Sequence, residues 1–283
     1  MNATVALAKR CFLCYFRDRS SVVFSLMAVI IVVMLYLLFL RNTMVASYPD
    51  IPGMEGLIDA WVLAGILGIV PATTCAGSLT TMIEDRAVGR DRDLLVSPLK
   101  GWQVSLGYVL STFAVGIAMS LITLVICVAY LAATGCPMTA SGIALAAVLT
   151  VPSSLSAAII MYTLCSFLRS MGAFSGLFAV VSVLIGFLCG IYMPMGTMPS
   201  AMQVVGTLVP ASHFAALFRD SLASGALDSA FAGSSAEALA DFRAELGFDL
   251  SLGGFEFDAA TMLAYALAVT AVFFVVAAIR IRR

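Results

Sequence analysis

Charge is what this chain has least of. Asp, Glu, Lys and Arg make up 11% of its 283 residues, against about a quarter in soluble domains, while 62% are hydrophobic and the mean hydropathy is +1.07. That balance excludes a soluble globular domain, and no nucleic-acid partner is expected of so little positive charge. Histidine is nearly missing too. With His213 alone, no metal site, Ser-His pair or Cys-His pair can be assembled, so no catalytic residue is assigned. An isolated His213 reads most simply as a structural or interfacial polar group. Lysine occurs twice, and Lys9 and Lys100 follow Ala8 and Leu99, whereas a P-loop needs glycine before its lysine to cradle phosphates. The chain has no nucleotide site of its own and is expected to bind no cofactor. Seven cysteines are present, but four (Cys75, Cys127, Cys165, Cys189) sit in apolar stretches, so a structural disulfide is not expected. Cys11 and Cys14 form one C-x-x-C pair, compatible with redox chemistry or palmitoylation, although a helical i, i+3 pair at a membrane surface needs no function at all.

What the chain does contain is long apolar runs. Crossing the roughly 30 Å hydrocarbon layer takes about 20 apolar residues as helix, because lipid offers the backbone no hydrogen-bond partners. Six stretches qualify: Ser21 to Leu40, Ala60 to Met82, Gly107 to Thr134, Ser141 to Leu168, Gly172 to Tyr192 and Thr261 to Ile279. The first is too long for a signal-peptide core and reads as retained. The fold class is therefore an all-α polytopic membrane protein with six transmembrane helices. If both termini are cytoplasmic, twelve of the 15 Lys and Arg face inside and three (Arg41, Arg219, Arg243) outside, while five acids face inside and eleven outside. These give about +7 and −8, which sum to the net −1. Trp61 and Trp102 fall where an aromatic belt would place them. No ionisable residue lies inside any of the six runs, which disfavours an ion- or proton-coupled carrier. The hydroxyls of Thr73, Thr74, Ser78, Thr80 and Thr81 could line a path, but packing and back-bonding to the preceding turn is the simpler reading. Pro71 and Pro152 should kink the second and fourth runs.

Polar sequence on the inner side concentrates in two places. Residues 1–20 form a cytoplasmic amphipathic helix with Val5, Phe12 and Phe16 on its apolar face, either an interfacial anchor or a border against a partner. The other place is the loop 83–106. Glu84, Asp85, Arg86, Gly89, Arg90, Asp91, Arg92 and Asp93 make a charged surface, Leu94 and Leu95 give it an apolar end, and Ser97-Pro98 should start the helix leading into the third run. An ordinary solvated loop is the simplest account of such charge, yet a protein with so little inside the cell is expected to dock something with it.

"EDRAVGRDRDLLVSPLKGWQVSLGYVLS", residues 84–111, resembles the first cytoplasmic loop of type-two ABC exporter permeases. A second likeness lies in residues 190–220, where Gly190, Tyr192, Pro194, Pro199, Pro210, His213 and Arg219 follow the family's pattern, and Val209 stands in place of a common Asn. The resemblance implies a homodimer, or a heterodimer with a related permease, in the plasma membrane of a bacterium. Each loop would act as a coupling helix in a cleft of a cytoplasmic nucleotide-binding ATPase subunit, and that partner would bind ATP and Mg. Within residues 193–258 it also implies a re-entrant helical pair at Met193 to Pro210 and an outer gate; Ser221 to Asp258, longer and more acidic than the family's pattern, depart from it and read as a small extracellular cap before the last span and basic tail at 259–283. In the cap, Ser234 and Glu237 predict a capping box, with Leu239, Phe242 and Leu246 on one face of a helix ending at Gly247. The expected function is ATP-driven export of a hydrophobic or amphipathic substrate such as a drug, lipid, peptide or glycolipid. The alternatives are an ion-coupled secondary transporter and a non-transport membrane scaffold or sensor.

Overall fold

The computed structural model describes residues 3–48, 51–90 and 100–281. Its elements follow from the distribution of apolar runs. Helix α1 spans Ala3–Arg17 and α2 spans Arg19–Leu35, continuing through a π turn at Tyr36–Leu40 into α3, Arg41–Ala46. Next come α4 (Met54–Ser78), α5 (Thr80–Ala87), α6 (Gly101–Ala133), α7 (Ala140–Ser166) and α8 (Met171–Leu188). A 3-10 turn at Met195–Thr197 leads to α9 (Ser200–Leu208), then α10 (Pro210–Ala230) and α11 (Ala236–Leu246). A hairpin of β1 (Leu250–Leu252) and β2 (Phe255–Phe257) precedes the last helix, α12 (Ala259–Ile281).

Five helical stretches among the described residues are long and apolar enough to cross a membrane: α4 with α5, α6, α7, α8 and α12. The bent pair α9 and α10, meeting at 89°, is a broken span or re-entrant loop. The first expected run, Ser21 to Leu40, lies in α2 and the π turn, which divides an otherwise unbroken helix from Arg19 to Ala46. Helix α4 is the axis of the bundle. It packs against α2, α6, α7, α8 and α10, and 83% of its most apolar stretch is buried, compared with 17% for α8. A helix apolar all round is stable only where protein or lipid surrounds it, and here the surround is protein.

Small residues set the closest approaches. A Cβ added at Gly68 of α4 would lie 2.5 Å from the Ala215 Cβ and 2.6 Å from its Cα on α10. Glycine therefore lets two backbones touch in a setting where packing, rather than hydrophobicity, holds helices together. The hydroxyls of α4 and α5 back-bond as expected: Thr74 to the Val70 carbonyl (2.7 Å), Ser78 to Cys75 (2.9 Å) and Thr80 to Gly77 (2.7 Å). Pro71 and Pro152 lie inside α4 and α7. All seven cysteines are free thiols.

Several local expectations shift. The third run begins at Gly101, because Lys100 is extended (ψ 147°) and serves as N-cap; Ser97 and Pro98 lie outside the described residues. The buried face of α1 is Thr4, Leu7, Cys11 and Tyr15, while Val5 is exposed; the face turned inward is the one that meets α6, where Gly107 leaves room for Leu7. Ser221 to Ala230 belong to α10, whose burial against α4, α7 and α12 continues to Ala230. In α11 the cap falls one residue later, with the Ser235 hydroxyl accepting from the Ala238 N–H (3.2 Å), so the Ser234 and Glu237 box is not formed. Gly247 closes α11 in the left-handed conformation, as read from the sequence.

Candidate functional site

The charge cluster divides in two where α5 leaves the bundle. Asp85 is fully buried, and its carboxylate accepts from Arg10 of α1 (2.9 and 3.1 Å), the Tyr108 hydroxyl of α6 (2.9 Å) and Arg90 (3.4 Å). A buried carboxylate needs this much, because removing it from water costs several kcal/mol unless charge-assisted hydrogen bonds replace the lost solvent. Hydrogen bonding to Asp85 in turn raises the Arg10 guanidinium further above its ordinary value. Arg86 also turns inward, donating to the carbonyls of Cys165 (3.2 Å), Ser166 (3.4 Å) and Leu168 (3.2 Å) at and just past the end of α7, where the helix dipole favours a cation. Glu84 and Arg90 are exposed, and Gly89 turns the chain at φ +80°. Asp91, Arg92, Asp93, Leu94 and Leu95 lie outside the described residues. Two residues expected on a charged surface thus tie α1, α5, α6 and α7 together, and of the described charges only Glu84 and Arg90 face outward. Sequence reading missed Arg10 and Tyr108 because their partner lies 75 and 23 positions away. Cys11 is buried in the same region and its thiol is pushed up to about 11 by that burial, opposite to the shift of a reactive thiolate.

At the far end of the bundle the second group of predicted residues surrounds Arg219. This guanidinium is 1% exposed and donates to the carbonyls of Cys189 (2.8 Å), Gly190 (2.9 Å) and Gly247 (3.2 Å). Gly190 and Gly247 both have positive φ (68° and 70°), a conformation that turns each chain at the point where its carbonyl meets the arginine. The cation lies 4.9 Å from the centre of the Trp61 ring. Trp61 is itself fully buried and donates from Nε1 to the Leu246 carbonyl (2.7 Å), so it is a core residue and not a member of an interfacial belt. Trp102, at the start of α6, is about half exposed.

The remaining predicted residues shape the bent segment. Tyr192 packs on Phe187 and covers Gly186; Pro194 caps the 3-10 turn, accepting from Thr197. Exposed Pro199 precedes α9 and accepts from Met202 and Gln203, while Pro210 occupies the first position of α10, where its missing N–H costs nothing. His213 is fully buried, with Nε2 2.7 Å from the Thr207 carbonyl, which fixes Nε2 as the donor. Its ring lies against Phe257 of β2 and Tyr265 of α12, a setting for a structural imidazole.

A third ionic group was not foreseen. Asp59, 1% exposed, accepts from Tyr36 (2.9 Å) and from Arg41 (2.9 and 3.3 Å), joining the π turn to α4. Among α4, α7, α8 and α10 lies a partly open cavity of about 260 Å³ whose lining residues include Pro71, Ser156, Leu184 and Phe214 and none that is ionisable.

A bundle of apolar helices, a bent re-entrant pair and buried charges confined to its two ends define a polytopic membrane protein. Sequence comparison places it more narrowly: the family described as ABC-2 type transporter matches residues 2–223, well over half the chain, and the protein belongs to that family as an ABC transporter permease component, its transmembrane subunit. Such permeases generally work with a cytoplasmic ATPase subunit. No curated protein matches the chain.

Proposed function

We propose that this chain is the membrane-spanning half of an ATP-driven exporter of apolar or amphipathic substrates, acting as a homodimer or with a related permease in the plasma membrane. ATP and Mg are held by the separate ATPase subunit, which docks at the end of the bundle that carries Asp85. The observation that carries this reading is the Asp85 and Arg86 anchor. The segment leaving α5 is bolted at its root to α1, α6 and the end of α7, so a displacement of the loop 91–99 moves several helices together instead of being absorbed by local slack. Exposed Glu84 and Arg90, together with Asp91, Arg92 and Asp93, supply the polar contacts of the docking surface, and Leu94 and Leu95 its apolar part.

Two features favour an apolar cargo over ion coupling. The cavity among α4, α7, α8 and α10 has no ionisable lining residue, and among the described residues the buried charges at either end are held by local hydrogen bonds. Arg219 and the glycine turns it holds form the far closure of the path, the outer gate, with Tyr192, Pro194, Pro199, Pro210 and His213 shaping the bent segment around it.

Isolation of the protein from its membrane through a C-terminal tag, with partners identified by mass spectrometry, tests the reading. An ATPase with Walker motifs should be recovered in stoichiometric amount, and scrambling residues 90–96 while leaving Glu84 to Arg86 intact should release it. Recovery of folded protein without an ATPase, with substrate movement that continues when ATP is withheld, would overturn the proposal in favour of a carrier.

A further inference from the structure

Away from the cavity and the ionic anchors, α6, α7 and α12 leave a groove of about 710 Å³ between them, near the end of the bundle that carries Asp85. Its volume falls within the ~300–1,000 Å³ typical of small-molecule sites. Its walls include Trp102, Val109, Ile159 and Phe274, with Tyr162 and Ser105 its hydroxyl-bearing lining residues, which leaves little polarity inside. Charge appears at the mouth, and among the described residues that end the three wall helices there it is all positive. Lys100 is the residue before α6, Arg169 follows α7 and Arg280 lies in the last turn of α12, so each wall helix brings one cation to the same end. All three are exposed, and none makes an ion pair among the described residues. Arg280 lies 5.2 Å from the ring of Phe167, at the end of α7, which draws its guanidinium toward this rim. Trp102, about half exposed, stands at the same level.

A long apolar trough with an aromatic residue and three unpaired cations at one end has the polarity profile of a single phospholipid. We infer that the groove holds an acyl chain of an anionic phospholipid from the adjacent leaflet, with its phosphate-bearing headgroup among Lys100, Arg169 and Arg280. Basic side chains at that depth lay their methylene stems along the apolar wall and present charge at the headgroup level, and Trp102 suits the boundary between the two. A zwitterionic lipid would fill the trough equally well but would cancel part of the attraction at its mouth. The site is therefore selective for headgroup charge.

The test is native mass spectrometry of the purified protein, released from a mild detergent after incubation with equal amounts of a palmitoyl-oleoyl phosphatidylglycerol and the matching phosphatidylcholine. One phosphatidylglycerol per protomer should survive, and each of Lys100→Gln, Arg169→Gln and Arg280→Gln should reduce its preference over phosphatidylcholine by about fivefold. Ala278→Trp, which fills the groove, should remove both lipids. Equal retention of the two lipids by the native protein, or glutamine variants that leave the preference unchanged, would overturn the inference. So would a fall in oligomeric state on Ala278→Trp with bound lipid unaltered, since that assigns the face to a second copy. Should Ala278→Trp fail to assemble, the glutamine series decides alone.

Discussion

Cutting the Arg10 to Asp85 pair from each side should give unequal costs. Arg10 is 42% exposed and Asp85 1%, so the partner left behind differs in how easily it regains water. Asp85→Asn keeps the size of the side chain and an acceptor for the Tyr108 hydroxyl, and frees Arg10 to turn into solvent. Its loss is that of a charge-assisted hydrogen-bond pair, about 1.5–3 kcal/mol, placed near the lower figure by solvent screening of the half-exposed arginine. Arg10→Ala strands the carboxylate. Breaking a buried pair in that way costs roughly 3–5 kcal/mol, lowered here because Tyr108 and Arg90 still donate, so about 3 kcal/mol is expected. The double variant removes both charges and should lie above Arg10→Ala alone. At roughly 2–4 °C per kcal/mol, Arg10→Ala should lower the midpoint of thermal unfolding in detergent, followed by loss of the monodisperse peak, by about 6–12 °C, and Asp85→Asn by about half that. Equal losses, or a double variant no more stable than Arg10→Ala, would falsify the picture of a buried carboxylate held by its partners.

Other expectations follow from the same geometry. Arg92→Glu, which spares the Arg90 bond to buried Asp85, should leave the protein inserted and folded but separate ATP hydrolysis from substrate movement in the reconstituted complex; full coupling in that variant would remove Arg92 from the docking surface. His213→Ala should reduce transport only in part, since the imidazole holds the Thr207 carbonyl and packs on Phe257 and Tyr265 without moving a proton; complete loss of transport by a well-assembled variant would require a proton relay. Gly68→Ala should destabilise by about 1–3 kcal/mol, because the added methyl meets Ala215 backbone atoms that cannot step aside, and wild-type thermal stability would refute the close α4 to α10 approach. Arg219→Met should loosen the Gly190 and Gly247 turns together, measurable as faster proteolysis on both sides of residues 189–191 and near residue 247; cleavage at one site alone would show that the arginine does not join them.

The spans were legible because lipid imposes a crude rule, and a run of 20 apolar residues obeys it whatever its neighbours do. The family's loop and bent-segment motifs were legible for a related reason: Gly190, Pro194, Pro199, Pro210 and Gly247 act through their own backbone conformation, so their positions mark turns without reference to distant partners. Arg219 was visible as a motif residue, but its burial was not. A count of charges by side treats every Arg and Asp as solvated, and four of them (Asp59, Asp85, Arg86 and Arg219) turn inward onto groups supplied by other helices. Trp61 misled for the same reason, since its position along the helix suits a belt while its ring lies beneath Arg219. The hairpin could have been found: Gly253-Gly254, both at positive φ, sits between alternating residues whose register pairs Leu252 with Phe255.

The two buried aspartates share an architecture that no local pattern reveals. Asp59 and Asp85 lie on the central α4 and α5 stretch, 26 positions apart (59 to 85), roughly 39 Å along a helix at 1.5 Å per residue. Each accepts from an arginine of the N-terminal segment, Asp85 from Arg10 before α2 and Asp59 from Arg41 after the π turn, and each also accepts from a tyrosine. Helix α2 and the π turn after it are thereby tied to the bundle axis by a charged anchor at each end, while between the anchors Val23, Met27, Ile30, Ile31 and Met34 are exposed and Val22 and Val33 pack on the core. Charge at the ends is the economical arrangement. There the arginine of each pair stays partly in water, 42% exposed for Arg10 and 25% for Arg41, so only the carboxylate bears the full desolvation penalty, and residues 20–40 between the two anchors carry no charge at all. The π turn at Tyr36–Leu40 lies next to the Arg41 anchor, where one extra residue in the turn sets the angular offset that lets Tyr36 and Arg41 both reach Asp59.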